Sequence, residues 1–114
     1  WEKADTALLD FVRSAIAMRR AHPSLARDRF LAGQAMDETG LADVAWLRPD
    51  GVAMREEDWN SPDRHLLGAA FYDFASGDRT LVWLNAGRSR EAVKLPGAWA
   101  CIAAPCSRYC MMQR

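Results

Sequence analysis

The run "TLVWLN", residues 80–85, restricts the possible folds of this chain more than any other stretch. Side chains alternate across a strand, so Leu81 and Trp83 point one way while Val82 and Leu84 point the other. Residues 43–48, "DVAWLR", repeat the pattern, with Val44 and Trp46 opposing Ala45 and Leu47. A strand apolar on both faces has to be covered on both faces. One cover would be a second sheet. The other has to be a helix, a loop or another domain.

Similar strand-like runs follow at 66–75, "LLGAAFYDFA", 91–95, "EAVKL", 98–104, "AWACIAA", and 108–112, "RYCMM". A weaker one lies upstream at "RFLAG", residues 29–33. The runs are separated by turn-like segments such as "RPDG", "SGD" and "AGRS". In "RPDG", Pro49 presets a turn angle and Gly51 is free to take positive φ. Short strands punctuated by turns predict a mainly β chain folded as an antiparallel β-sandwich.

One segment breaks the extended period. In residues 5–21, Leu8, Val12, Ala15, Ile16 and Arg19 recur at helical spacing, and Leu9, Phe11 and Met18 widen the stripe. Asp5 or Thr6 can cap the start, because a short side-chain oxygen accepts a free backbone N–H there. Arg19 and Arg20 suit the negative end of the helix dipole, and Pro23 ends the helix near His22. The chain therefore divides into a helical part, 1–22, a linker, 23–42, and a β domain, 43–114.

Lys plus Arg and Asp plus Glu both number 15, and the two signs are interspersed. This pattern disfavours nucleic acid as a partner. No apolar run approaches the roughly 20 residues needed to cross a bilayer, so no membrane span is expected. No signal peptide is visible, and the chain opens on Trp1, which implies processing or excision from something longer. Cys101, Cys106 and Cys110 are spaced C-x4-C-x3-C. An odd count at that spacing fits neither a disulfide framework nor a zinc site completed by His22 or His65. Reduced, metal-free thiols in a cytoplasmic protein are the expectation, with no cofactor.

Chemistry is sought first in "EEDW", Glu56, Glu57 and Asp58 followed by Trp59. Neighbouring residues diverge by about 100° on a helix and point oppositely on a strand, so these carboxylates are poorly placed to face one another as a glycosidase pair. A solvated turn, or the first turn of a short helix capped by Asp58 or Asn60, accounts for them. Ser14, His22 and Asp28 can be written as a triad, an order easily found by chance. No catalytic residue is assigned.

Taken together, "WEKADTALLDFVRSAIAMRRAHPSL", "RFLAG" and "DVAWLRPDGVAMREEDWNSPDRHLLGAAF" resemble the C-terminal end of bacterial glycogen debranching enzymes of the isoamylase type, in the α-amylase superfamily. The resemblance covers roughly residues 1–100, and the ending "CMMQR" is also similar. It implies that residues 1–22 are the last helix of a (β/α)8 barrel absent from this chain. It also implies that the remainder is a β-sandwich packed on that barrel. The catalytic acids of the family lie upstream, so none is carried over. Met18 stands where leucine is usual, and the region after Trp99 is short. The implied role is packing and stability of a hydrolase that cleaves α-1,6 branches of glycogen or limit dextrin, with the barrel as partner and the glucan met through the parent enzyme. The alternative is an α-glucan-binding accessory module using Trp59 and Trp99. Trp46, Phe71 and Trp83, in strand runs, are read as core. With the barrel absent, the helix is expected to fold back over the sheet, with some self-association through what stays exposed.

Overall fold

The computed structural model describes residues 5–97 and the backbone of 107–113. Helix α1 spans Thr6–Ala21, and a 3-10 turn follows at Pro23–Leu25. Strand β1 is Val44–Leu47, helix α2 Glu56–Trp59, β2 Leu66–Asp73, β3 Asp78–Asn85 and β4 Ser107–Gln113. The four strands form one open sheet in the order β1-β2-β3-β4. The described part is thus mostly β with one long helix.

The first three strands pair antiparallel: β2 and β3 are joined by a tight turn at residues 74–77, whereas the connection from β1 to β2, residues 48–65, carries α2. At the first turn Gly51 takes φ 81°, and Gly51 N–H donates to Arg48 O at 2.9 Å. A Cβ there would stand 2.9 Å from Lys94 O, so only glycine fits. The expected all-antiparallel pairing fails at β4, which runs parallel to β3. After β3 the chain leaves the sheet instead of making a hairpin. Asn85 Oδ1 accepts from Gly87 N–H at 2.8 Å, and Asn85 Nδ2 donates to Ser89 O at 2.9 Å. The long connection that follows allows a parallel return.

Two further strand expectations are corrected. Residues 91–95 are irregular. They reach the turn after β1 through the bond from Lys94 N–H to Pro49 O, 2.8 Å, while Val93 packs on the core. Residues 29–33 are also irregular, and the nearby pairing is a single bridge, Ala35 to Ala42. The strand expected at 98–104 lies outside the described residues.

The core sits on one face of the sheet. Leu47, Leu66, Ala70, Leu81 and Trp83 form it, with Leu41, Ala45 and Val93 packed against them. Irregular segments, not a second sheet, supply this cover among the described residues. Gly68 lies directly opposite Trp83 in the register, and a Cβ on it would come within 2.6 Å of the indole. The indole can therefore lie flat over the strand only because position 68 has no side chain.

The other face is less completely covered. Ala69 and Thr80 are buried there, but Leu84 and Trp46 are exposed. Trp46 is thus not a core residue, contrary to expectation, whereas Trp83 is. Phe71 is half-buried.

Helix α1 is capped as expected: Asp5 Oδ1 accepts from Leu8 N–H at 3.0 Å. The expectation that it folds back over the sheet is overturned. No residue of α1 is buried, and it packs on no described strand. Of the apolar stripe, Leu8, Leu9, Phe11, Val12 and Ile16 are exposed, while Ala15 and Met18 are half-buried.

What holds α1 is a polar joint at its C-terminal end. His22 Nδ1 lies 3.2 Å from Asp78 Oδ1, and Asp78 Oδ2 accepts from Ser24 Oγ at 2.6 Å and Ser24 N–H at 3.1 Å. Ser24 Oγ also lies 2.8 Å from Thr80 Oγ1, both side chains being buried. One step on, Arg27 Nη2 donates to Tyr72 O at 2.6 Å and Asp73 Oδ1 at 2.9 Å. Asp43 accepts from the N–H groups of Ala32 and Gly33 at 2.9 and 2.7 Å. The joint fixes the helix direction by its root alone.

These carboxylates make acid stability predictable. Burial pushes Asp43 upward, but the amides of Ala32, Gly33 and Val44 and the Arg27 charge outweigh it and hold the carboxyl low. Asp73 is lowered first by the Ser76 hydroxyl and also by Arg27. Burial likewise pushes Asp78 upward, and the Ser24 hydroxyl and amide, with His22, bring it down. A folded-state pKa below the unfolded value contributes stability that is complete above the unfolded pKa of about 3.9 and is lost as pH falls through the folded one. The melting temperature is therefore expected to be flat near neutrality and to fall steeply below about pH 4. Circular-dichroism melts across the acid range check this. A flat profile down to about pH 2.5 would contradict the assigned role of the joint.

Candidate functional site

The acidic run 56–58 forms the short helix α2, and its three carboxylates have different surroundings. Asp58 is buried. Its Oδ2 accepts from Arg55 N–H at 2.8 Å, closing the first turn, and its Oδ1 meets Arg64 Nη2 at 2.5 Å. Arg64 Nε donates to the Asp58 carbonyl at 3.2 Å. Glu56 and Glu57 are exposed, and Glu57 has only a loose 3.8 Å approach to Arg55. So one acid anchors the turn and two are solvated. Asn60 instead donates from its side chain to Glu56 O, 3.2 Å, at the helix end.

Hydrogen bonds from neighbouring hydroxyl, amide and guanidinium groups hold the carboxyls of Asp37, Asp43, Asp50, Asp73 and Asp78 below the usual carboxylate range, against the upward push of burial. A general acid working near neutrality needs the opposite shift. The triad written from the sequence is not assembled. His22 is engaged by Asp78, Ser14 Oγ donates to Asp10 O at 2.8 Å, and Asp28 lies exposed. Among the described residues, no group of three His, Cys, Asp or Glu side chains is placed to hold a metal ion. No described helix is long and apolar enough to cross a membrane.

The concave features flank the segment 61–66. On one side is a groove of about 310 Å3 lined by Met54, Trp59, Leu67 and Leu84, with Arg64 and His65 at its polar edge. On the other is a cleft of about 300 Å3 that shares Arg64 and His65 and adds Pro49, Asp63 and Glu91. Trp59, one of the two aromatics singled out from the sequence, is 52% exposed. It stands edge-to-face with Trp46, the ring centres 5.7 Å apart and the planes at 78°. Trp99, the other, lies outside the described residues. Nothing in the sequence marks Arg64, and His65 stands out there only as a possible metal ligand. A polar pair following a Pro-Asp turn has no distinguishing pattern, and only the fold brings it beside Trp59.

The fold and site define a mostly β segment with one uncovered helix and an aromatic-edged groove, and comparison with known proteins adds its relationship. No protein-family model matches the chain, and no solved structure matches it. Its sequence is 31% identical over 103 residues to the glycogen debranching enzyme of Cronobacter sakazakii and 32% identical over 100 residues to that of Dickeya chrysanthemi. These alignments take in 90% and 87% of this chain and 14% of each relative. Over 55 residues, 46% of the chain and 7% of the relative, it is 42% identical to the glycogen operon protein GlgX homolog of Mycobacterium tuberculosis. Nearly the whole chain is therefore related to bacterial glycogen debranching enzymes, and it spans about one seventh of the length of the curated relatives it matches over most of its own length.

Proposed function

We propose that this chain is the non-catalytic C-terminal module of a cytoplasmic glycogen debranching hydrolase of the isoamylase type, in the α-amylase superfamily. The parent enzyme cleaves α-1,6 branch linkages of glycogen or limit dextrin. Residues 1–22 belong to the last helix of its (β/α)8 barrel, 23–42 join the two parts, and 43–114 form its β-sandwich, of which the open sheet is one layer. The module's work is to close the barrel and stabilise it.

The observation that carries this reading is the bare stripe on α1. A helix of sixteen residues is marginal by itself in water, and most helical stability comes from burying an apolar face. Here the stripe is present and the burial is not. A contiguous apolar surface of this kind marks a contact with another structure. The joint at His22, Ser24 and Asp78 holds the helix root against the sheet, so a partner docked on the helix is fixed relative to the sheet as well.

The test uses a debranching enzyme from the same source with the segment matching this chain deleted, and this chain added in trans. The chain is expected to bind, to raise the melting temperature of the truncated enzyme and to restore branch release. Phe11→Asp with Ile16→Asp is expected to abolish all three effects. No association, or association indifferent to the α1 changes, would refute the reading. A second reading, that the module also holds α-glucan, has Trp59 and its groove in its favour.

A further inference from the structure

We propose that the groove between α2 and the start of β2 is a weak pyranose subsite built on Trp59. The ligand class, α-1,4-linked glucan, rests on the reading of the chain as part of a debranching enzyme. The subsite itself rests on geometry.

A pyranose ring offers an apolar face of C–H groups and a rim of hydroxyls. It needs a flat apolar platform with a few fixed hydrogen-bonding groups at the edge, the general pattern of small-ligand sites. Trp59 supplies the platform. It is half-exposed although large and apolar, and the edge-to-face contact with Trp46 fixes its ring plane. Met54, Leu67 and Leu84 continue the apolar floor.

The polar edge is equally fixed. Arg64 carries five N–H donors. Its Nε and one Nη2 hydrogen are held by Asp58, which leaves three donors on a fork that is already oriented. Orientation before binding lowers the entropy lost on binding. His65 stands exposed beside it and can donate or accept. Across the 61–66 segment, Asp63 and Glu91 add carboxylate acceptors in the adjoining cleft. Arg64 and His65 thus supply the polar edge of the Trp59 platform itself, and the carboxylates lie one segment away, within reach of a longer oligosaccharide. The groove is shallow, so affinity in the millimolar range is expected.

The experiment titrates the full chain with maltoheptaose while indole and amide shifts are followed by NMR. A saturable shift at the Trp59 indole N–H and at Arg64 is expected. Trp59→Ala should weaken binding at least about tenfold, and Trp59→Phe, which keeps a ring, should retain part of it. Trp59 is exposed, so these variants should melt like the parent chain, and the melts confirm that they fold. No shift up to the solubility of the sugar, or a shift that survives Trp59→Ala, would overturn the subsite. Either failure leaves the docking experiment intact, because that experiment reads α1 variants and contains no sugar-binding measurement.

Discussion

Leu81→Ala is expected to cost about 2–5 kcal/mol, a large part of the 5–15 kcal/mol available to a typical domain. Leu81 is among the most fully buried side chains described, at 2% exposure. It lies mid-strand in β3, directly opposite Ala70 of β2, in contact with the cluster of Leu47, Leu66 and Trp83. The small Ala70 cannot fill the space that truncation leaves, and the indole of Trp83 is held over Gly68. The cavity should therefore persist. Because no residue of α1 is fully buried, the core on the sheet carries most of the stability. Urea unfolding should show a lower midpoint with an unchanged slope. Leu84→Ala, in the same strand on the open face, serves as the control and should cost under about 1 kcal/mol. Equal losses for the two would contradict the assignment of the core to one face.

Arg27→Met is expected to have a comparable effect by a different route. The guanidinium is nearly enclosed, 2.9 Å from Asp73 Oδ1 and 3.7 Å from Asp43 Oδ2. Its removal leaves two buried carboxylates without their countercharge, and breaking a buried pair from one side costs about 3–5 kcal/mol. It also removes the donor to the Tyr72 carbonyl, which leaves a backbone acceptor in need of water. The loss should shrink at acid pH, where protonation of Asp43 and Asp73 relieves the unpaired charge. Adding Asp73→Asn should recover part of the stability at neutral pH. Arg27→Lys keeps the charge but loses the fork, so it should fall between the parent chain and Arg27→Met. If Arg27→Met melted like the parent chain, the joint would have no energetic part in the fold.

The antiparallel strands were legible because their signals are local. Val44, Trp46, Leu81 and Trp83 alternate with apolar neighbours, and Gly51 and Gly77 stand where the turns require positive φ. The start of α1 was legible for the same reason, since Asp5 and Leu8 meet within one turn. The non-local features had no comparable signal. His22 meets Asp78 across 56 residues, and Arg27 meets Asp73 across 46. The parallel pairing of β4 with β3 depends on the route of a long connection, which periodicity does not report. In residues 91–95 the alternation was real, but only Val93 uses it, as a plug for the core. The apolar stripe on α1 was legible from its helical spacing, and most of it stands exposed. What the pattern could not give was the cover itself, because an amphipathic helix specifies a face and not its partner. Of the candidate site, Trp59 was legible as an aromatic suited to stacking on sugar, whereas Arg64 and His65 join it only through the fold.

Amide hydrogen exchange along α1 bears most directly on the central claim that the stripe is a docking face awaiting the rest of a debranching enzyme. In the chain alone, residues 8–16 should exchange far faster than β2 and β3, since no side chain of the helix is buried. On addition of the truncated parent enzyme, the same amides should slow to the level of the strands. Helix amides protected like the strands in the isolated chain at high dilution, and unchanged when the enzyme is added, would contradict it.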